Sequence, residues 1–87
     1  MIVWDEPKRQ ANLVKHRLDF ADLDETFFDN ALVRPTHSRR WRGIGMSPHG
    51  VIAVVFFALG AEAISVISMR PASRQERKLY AESKEGP

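Results

Sequence analysis

"VIAVVFFALGAEAISVISMR", Val51 to Arg70, is the stretch whose reading decides the fold. From Val51 to Leu59 both alternating sets of side chains are apolar, so a strand here must be central, covered on both faces or at a protein interface. Gly60 turns the chain, and "EAISVISMR" returns as a second strand. Strict alternation places Ile64, Val66, Ser68 and Arg70 on one face and Ala63, Ser65, Ile67 and Met69 on the other. The apolar run Val51 to Ala61 falls short of the roughly eighteen residues that cross a bilayer, so it reads as core and not as membrane. Upstream, "WRGIGMS" also has period two, and "SPHG" carries the Pro and Gly of a tight turn, which makes a first hairpin. "ALVRPT" reads as an edge strand cut short by Pro35, and "IVW" at the start is strand-like.

Two helices are expected before the hairpins. Asp5 can cap the first, with Pro7 in its first turn, and the helix runs to about Arg17. Ala11, Leu13 and Val14 form its narrow apolar stripe, while Asn12, Lys15 and His16 project together. In "DFADLDETFFDN", Phe20, Leu23, Phe27 and Phe28 recur at roughly helical period, with Asp19 as cap and Asp22 in the first turn.

The 87 residues suit one domain, 1–87, with one modest core and no cysteine to staple it or to bind metal as thiolate. The N-terminus lacks a basic segment followed by an apolar one, so a cytoplasmic protein is expected. Charge is divided along the chain. Residues 1–30 hold seven carboxylates against four cations, a net −3, and residues 31–87 hold nine cations against four carboxylates, a net +5. The second part suits a polyanion and the first a basic partner.

The strand Ala63 to Arg70 leads into "SMRPASRQERKLY", Ser68 to Tyr80. "SRQE" matches the capping box, in which Ser73 starts a helix and Glu76 reaches back to it. Arg74 and Arg77 then share a face, with Leu79 directed to the core, and Arg70 points off the strand end toward the same corner. Guanidiniums brought this close repel unless an anion or carboxylates occupy the space between them.

"WDEPKRQANLVKHRLDF", "THS", "GIG" and "ISMRPASRQERKLY", in that order from Val3 to Tyr80, resemble the BrnT family of type II toxins. The resemblance implies a small α+β domain similar to RelE toxins, with an antiparallel four- to five-stranded sheet, two N-terminal helices and one C-terminal helix. It implies metal-independent endoribonuclease activity, inhibition of translation and neutralisation by a BrnA-like antitoxin. Toxin and antitoxin would form a hetero-oligomer, and DNA would be met only through the antitoxin. Residues matching the family are Asn12, Lys15, His16, Arg40, Arg70, Arg74, Glu76, Arg77 and Tyr80. The chain departs from the family pattern at Arg39-Arg40, where a Glu-Arg pair is usual, and at Arg17, Met46 and Ser65. The missing carboxylate bears on the identity of the general base.

RNA cleavage by its own 2′-hydroxyl needs a base, charge stabilisation at the phosphate and a proton for the leaving oxygen, and no cofactor. Arg70 fits the second task because its planar fork matches two phosphoryl oxygens. His16 fits proton transfer, an imidazole titrating near pH ~6.5, with Lys15 or Tyr80 as substitutes. Arg40 and Arg77 complete the candidate catalytic set, and Arg39, Trp41, Arg42, Arg74 and Lys78 the candidate RNA contacts. Each has a plainer alternative. His16 also suits a helix C-terminus, Arg74, Arg77 and Lys78 suit a solvated face paired with Glu76 and Glu82, and Trp41 suits a core or interface. No metal site is expected. A protein that binds RNA or antitoxin without cutting is the alternative function. A stand-alone DNA-binding module has no recognition-helix pattern to support it.

Overall fold

A computed structural model describes residues 1–85. The elements run β1 (Ile2–Trp4), α1 (Glu6–His16), a 3₁₀ turn (Phe20–Asp22), α2 (Glu25–Asn30), β2 (Leu32–Pro35), β3 (Trp41–Ser47), β4 (Gly50–Leu59), β5 (Ala63–Pro71) and α3 (Arg74–Glu85). One five-stranded sheet has the order β1-β5-β4-β3-β2. β2 to β5 pair antiparallel as expected, and β1 adds to the free edge of β5 in parallel, Ile2 opposite Ile64.

The first hairpin forms as its turn residues dictate. Pro48 and His49 bridge Ser47 and Gly50, the Ser47 hydroxyl accepts from His49 N–H at 3.0 Å and donates to Gly50 O at 2.8 Å, and Gly50 takes φ 95°. Gly60, at φ 64°, starts the second turn.

One sheet face makes the core. Ile52, Val54 and Phe56 of β4 and Val66 and Met69 of β5 pack with Leu18, Phe20 and Phe27. The "GIG" of β3 is explained here, since a Cβ on Gly45 would lie 2.7 Å from the Phe27 ring, and Ile44 is buried on the other side. The aromatic rings of Phe27, Phe28 and Phe56 meet edge to face in series, with centroids 5.2 and 5.0 Å apart.

Strict alternation in β5 fails at one residue. Val55 pairs with Ser68 but Phe56 pairs with Val66, so Ile67 is an extra residue, a β-bulge. Val66 and Met69, expected on opposite faces, are therefore both in the core, and Arg70 emerges on the outer face beside Ala53.

Four helical expectations are corrected. The second helix is broken: Asp19 caps only the 3₁₀ turn through Ala21 N–H, Leu23 is extended, and Asp24 caps α2 through Phe27 N–H at 2.8 Å. Two short polar caps compete with one continuous helix and win. Asp5 takes the extended cap conformation of α1 but makes no side-chain cap bond. The stripe of α1 is not buried, since Val14 is 85% exposed and the buried residue is Asn12; Leu79 of α3 is likewise exposed, and Glu76 is buried in its place.

Candidate active site

The outer sheet face carries the site. Arg34 of β2 is the cross-strand partner of Arg42 of β3, and Ile44, Ala53 and Arg70 form the next row. Like charges placed directly opposite destabilise a sheet, so Arg34 and Arg42 create a demand for an anion. α3 answers part of it. Ser73 Oγ accepts from Glu76 N–H at 3.1 Å, and Glu76 Oε1 accepts from Ser73 N–H at 2.9 Å, closing the capping box. The same carboxylate takes both ends of the Arg70 guanidinium, from Nη1 at 2.6 Å and Nη2 at 3.0 Å, and its Oε2 lies 3.3 Å from Arg42 Nη1.

These contacts fix the charge states. Hydrogen bonds from Arg70, reinforced by Ser73 N–H, hold the Glu76 carboxyl down at about 2 against the desolvation that would raise it, and the carboxylate in turn raises Arg70. A carboxylate so held is a poor base, so Glu76 is a positioning group for the arginines. Arg70 gives a third N–H to Pro71 O at 3.2 Å. Of its five donors, those left on Nε and Nη2 have no partner among the described residues, and they form a second, parallel fork. Arg42 Nε is buried without a partner among the described residues.

The remaining candidates are dispersed around this cluster. Arg77 is exposed and donates to Ala72 O at 3.3 Å, and Arg74 and Lys78 are exposed on α3. It is Glu76, not Arg77, that α3 presents to Arg70. Arg39 and Arg40 lie in the turn between β2 and β3, where Ser38 and Arg39 both take positive φ, 63° and 60°, as a type I′ turn requires. Trp41 opens β3 at 40% exposure. Tyr80 lines a separate cleft of about 450 Å³ with Phe27, Ile52, Met69 and His49, and Lys84 Nζ sits 5.3 Å over its ring. Lys15 is exposed and His16 half-buried in the last turn of α1, and neither is hydrogen-bonded or ion-paired to the arginine cluster among the described residues.

Asn12 parts from Lys15 and His16 and turns inward. β1 ends opposite Val66, leaving Met69 N–H without a strand partner on that side, and Asn12 Oδ1 accepts it at 3.0 Å while Nδ2 donates to Leu18 O at 3.1 Å. Asn12 thus ties α1 to the residue before Arg70. Asn12→Ala leaves buried backbone groups unpaired and is expected to cost about 1 to 3 kcal/mol, measured by urea unfolding. Arg34 was not among the sequence candidates; its signal is its register opposite Arg42, which needs the pairing of β2 to be known.

A family model described as "Ribonuclease toxin, BrnT, of type II toxin-antitoxin system" matches residues 4–76. The 1.1 Å crystal structure of the Brucella abortus ribonuclease toxin BrnT superposes with a TM-score of 0.78 at 55% sequence identity, covering 84% of this chain and 96% of that one. No curated protein sequence gives a significant match.

Proposed function

The chain belongs to the BrnT family of ribonuclease toxins of type II toxin-antitoxin systems, and from that premise we propose that it cleaves RNA without a metal, inhibits translation by doing so, and is silenced by a BrnA-like antitoxin. The observation that carries this reading is the free fork of Arg70, held in place by Glu76. A scissile phosphate set against Nε and Nη2 receives two parallel donors where negative charge grows. The 2′-oxygen then bonds to phosphorus as its proton leaves to a base, the bond from phosphorus to the 5′-oxygen breaks, and that oxygen takes a proton. The products are a 2′,3′-cyclic phosphate and a 5′-hydroxyl.

His16 is the group assigned to proton transfer, with Lys15 and Tyr80 as substitutes, and it would reach the phosphate from α1. Arg40 and Arg77 add positive charge at the rim, and Arg39, Arg42, Arg74, Lys78 and Trp41 are assigned to the flanking RNA. The antitoxin is assigned to the basic corner of Arg70, Arg74 and Arg77, where cover and inhibition coincide.

Support for metal independence comes from the arginines, which already supply the charge that a cation would. Cleavage is expected to persist in excess chelator, with 2′,3′-cyclic ends found by mass spectrometry of the products. Activity that chelator abolishes and divalent metal restores would overturn the mechanism. The alternative reading, a binder that does not cut, is favoured by Arg39 standing where a carboxylate is usual. Turnover separates the two, because a nuclease consumes RNA in excess over its own concentration and a binder does not.

A further inference from the structure

Beyond Ala53, which is buried beside Ile44, the second apolar face of β4 is not used by the core. Val55, Phe57 and Leu59 project from the outer side of the sheet, with Ile67 of the bulge and with Val3, whose register partner is Ser65. None of these five belongs to the core cluster; Leu59 is 46% exposed and the others are only partly buried. At the row of Ile44 and Ala53 this face is buried, and α3 sets Glu76 against Arg42 and Arg70 there. The uncovered band is continuous with the arginines, since Arg34, Arg42, Val55 and Ser68 are successive cross-strand neighbours.

We propose that this band is the docking surface of the antitoxin, and that the segment it receives is acidic and amphipathic. Its apolar side chains would cover Val55, Phe57, Leu59 and Ile67, and its carboxylates would meet Arg34 and Arg42. The proposal rests on the toxin reading and deepens it, because a segment lying along the band ends over the free fork of Arg70. Charge complementarity selects the occupant. Among the described residues the five strands contribute no carboxylate to this face and Glu76 of α3 is engaged, so a second copy of this chain would bring strand arginines without strand acids to meet them. RNA is a poorer occupant, since aliphatic side chains give a phosphodiester backbone nothing and Phe57 is the lone ring on the band for a base to stack upon. Phe57, central and flanked by aliphatic neighbours, is the expected anchor.

The test measures binding of the co-encoded antitoxin by calorimetry for the wild type, Phe57→Asp and Leu59→Ser, with circular dichroism as the check on folding. Leu59 is exposed enough that its substitution reads the surface even where Phe57→Asp fails to fold. Phe57→Asp is expected to weaken binding at least about 30-fold and Leu59→Ser about 5-fold. Both folded variants should cleave RNA at the parental rate and escape inhibition by stoichiometric antitoxin. Unchanged antitoxin affinity in the folded variants overturns the proposal. So does loss of RNA binding at unchanged antitoxin affinity, which makes RNA the occupant, or a dimer of the toxin alone that the variants dissociate, which makes it a second copy. A wild type that cuts no RNA yet binds antitoxin through Phe57 refutes the nuclease reading and leaves the surface standing.

Discussion

Glu76→Ala is expected to destabilise the protein by about 3 to 5 kcal/mol, the range for breaking a buried ion pair from one side. The carboxylate is 6% exposed and accepts from Arg70 and Ser73 while it neighbours Arg42. Its removal leaves two guanidiniums near each other, beside the cross-strand Arg34, and opens the start of α3. Urea unfolding measures the loss, and a cost below about 1 kcal/mol would show that water already satisfies the cluster. The pH dependence follows from the same contacts. The carboxyl falls from 4.5 to about 2 in the folded state, so its stabilisation is fully present above pH 4.5 and is lost as pH falls from 4.5 toward 2. With allowance for solvent at the exposed side of Arg70, the loss is about 2 kcal/mol. Glu76→Ala should flatten this part of the stability profile.

Arg70→Lys carries the largest expected effect on activity. Lysine keeps one positive charge but has no second fork, so an ammonium engaged with Glu76 leaves little to offer a phosphate in fixed geometry. Loss of such a transition-state contact typically costs about 3 to 4 kcal/mol, or roughly 10² to 10³ in rate. The thermal midpoint should move far less than in Glu76→Ala, because charge pairing at the buried carboxylate is retained. Single-turnover cleavage at saturating enzyme measures the chemical step apart from binding. A folded Arg70→Lys protein that cuts at the parental rate would remove Arg70 from the catalytic role.

The parts of this arrangement that were legible in the sequence are those written in neighbouring residues. Ser47 to Gly50 specify their turn locally, and Ser73 and Glu76 specify their cap three residues apart, so both are legible without the fold. The bulge at Ile67 is not, because it is set by how β4 and β5 pair along their whole length. The error propagated, since one extra residue moves every later side chain to the other face, Arg70 included. Asn12 was read as surface beside Lys15 and His16, and its burial depends on where β1 stops, far away in the chain. Glu76 gave its cap to sequence reading but concealed its contact with Arg42, which only the antiparallel course of β3, β4 and β5 brings near. Periodicity assigns Leu79 to the core, yet α3 turns Glu76 inward to the arginines and leaves Leu79 37% exposed.

The parallel pairing of β1 with β5 sets the order in which the sheet can close as the chain is synthesised. Ile2 is translated before its partner Ile64, which follows only after β2, β3 and β4. The local hairpins can close early, but the edge of the sheet waits for a contact that spans most of the chain. Arg70 and Glu76 come later still, so the free fork does not exist on a nascent chain that lacks α3. The charge cluster is therefore a late product of folding, and it takes shape only on a chain whose sheet can already close.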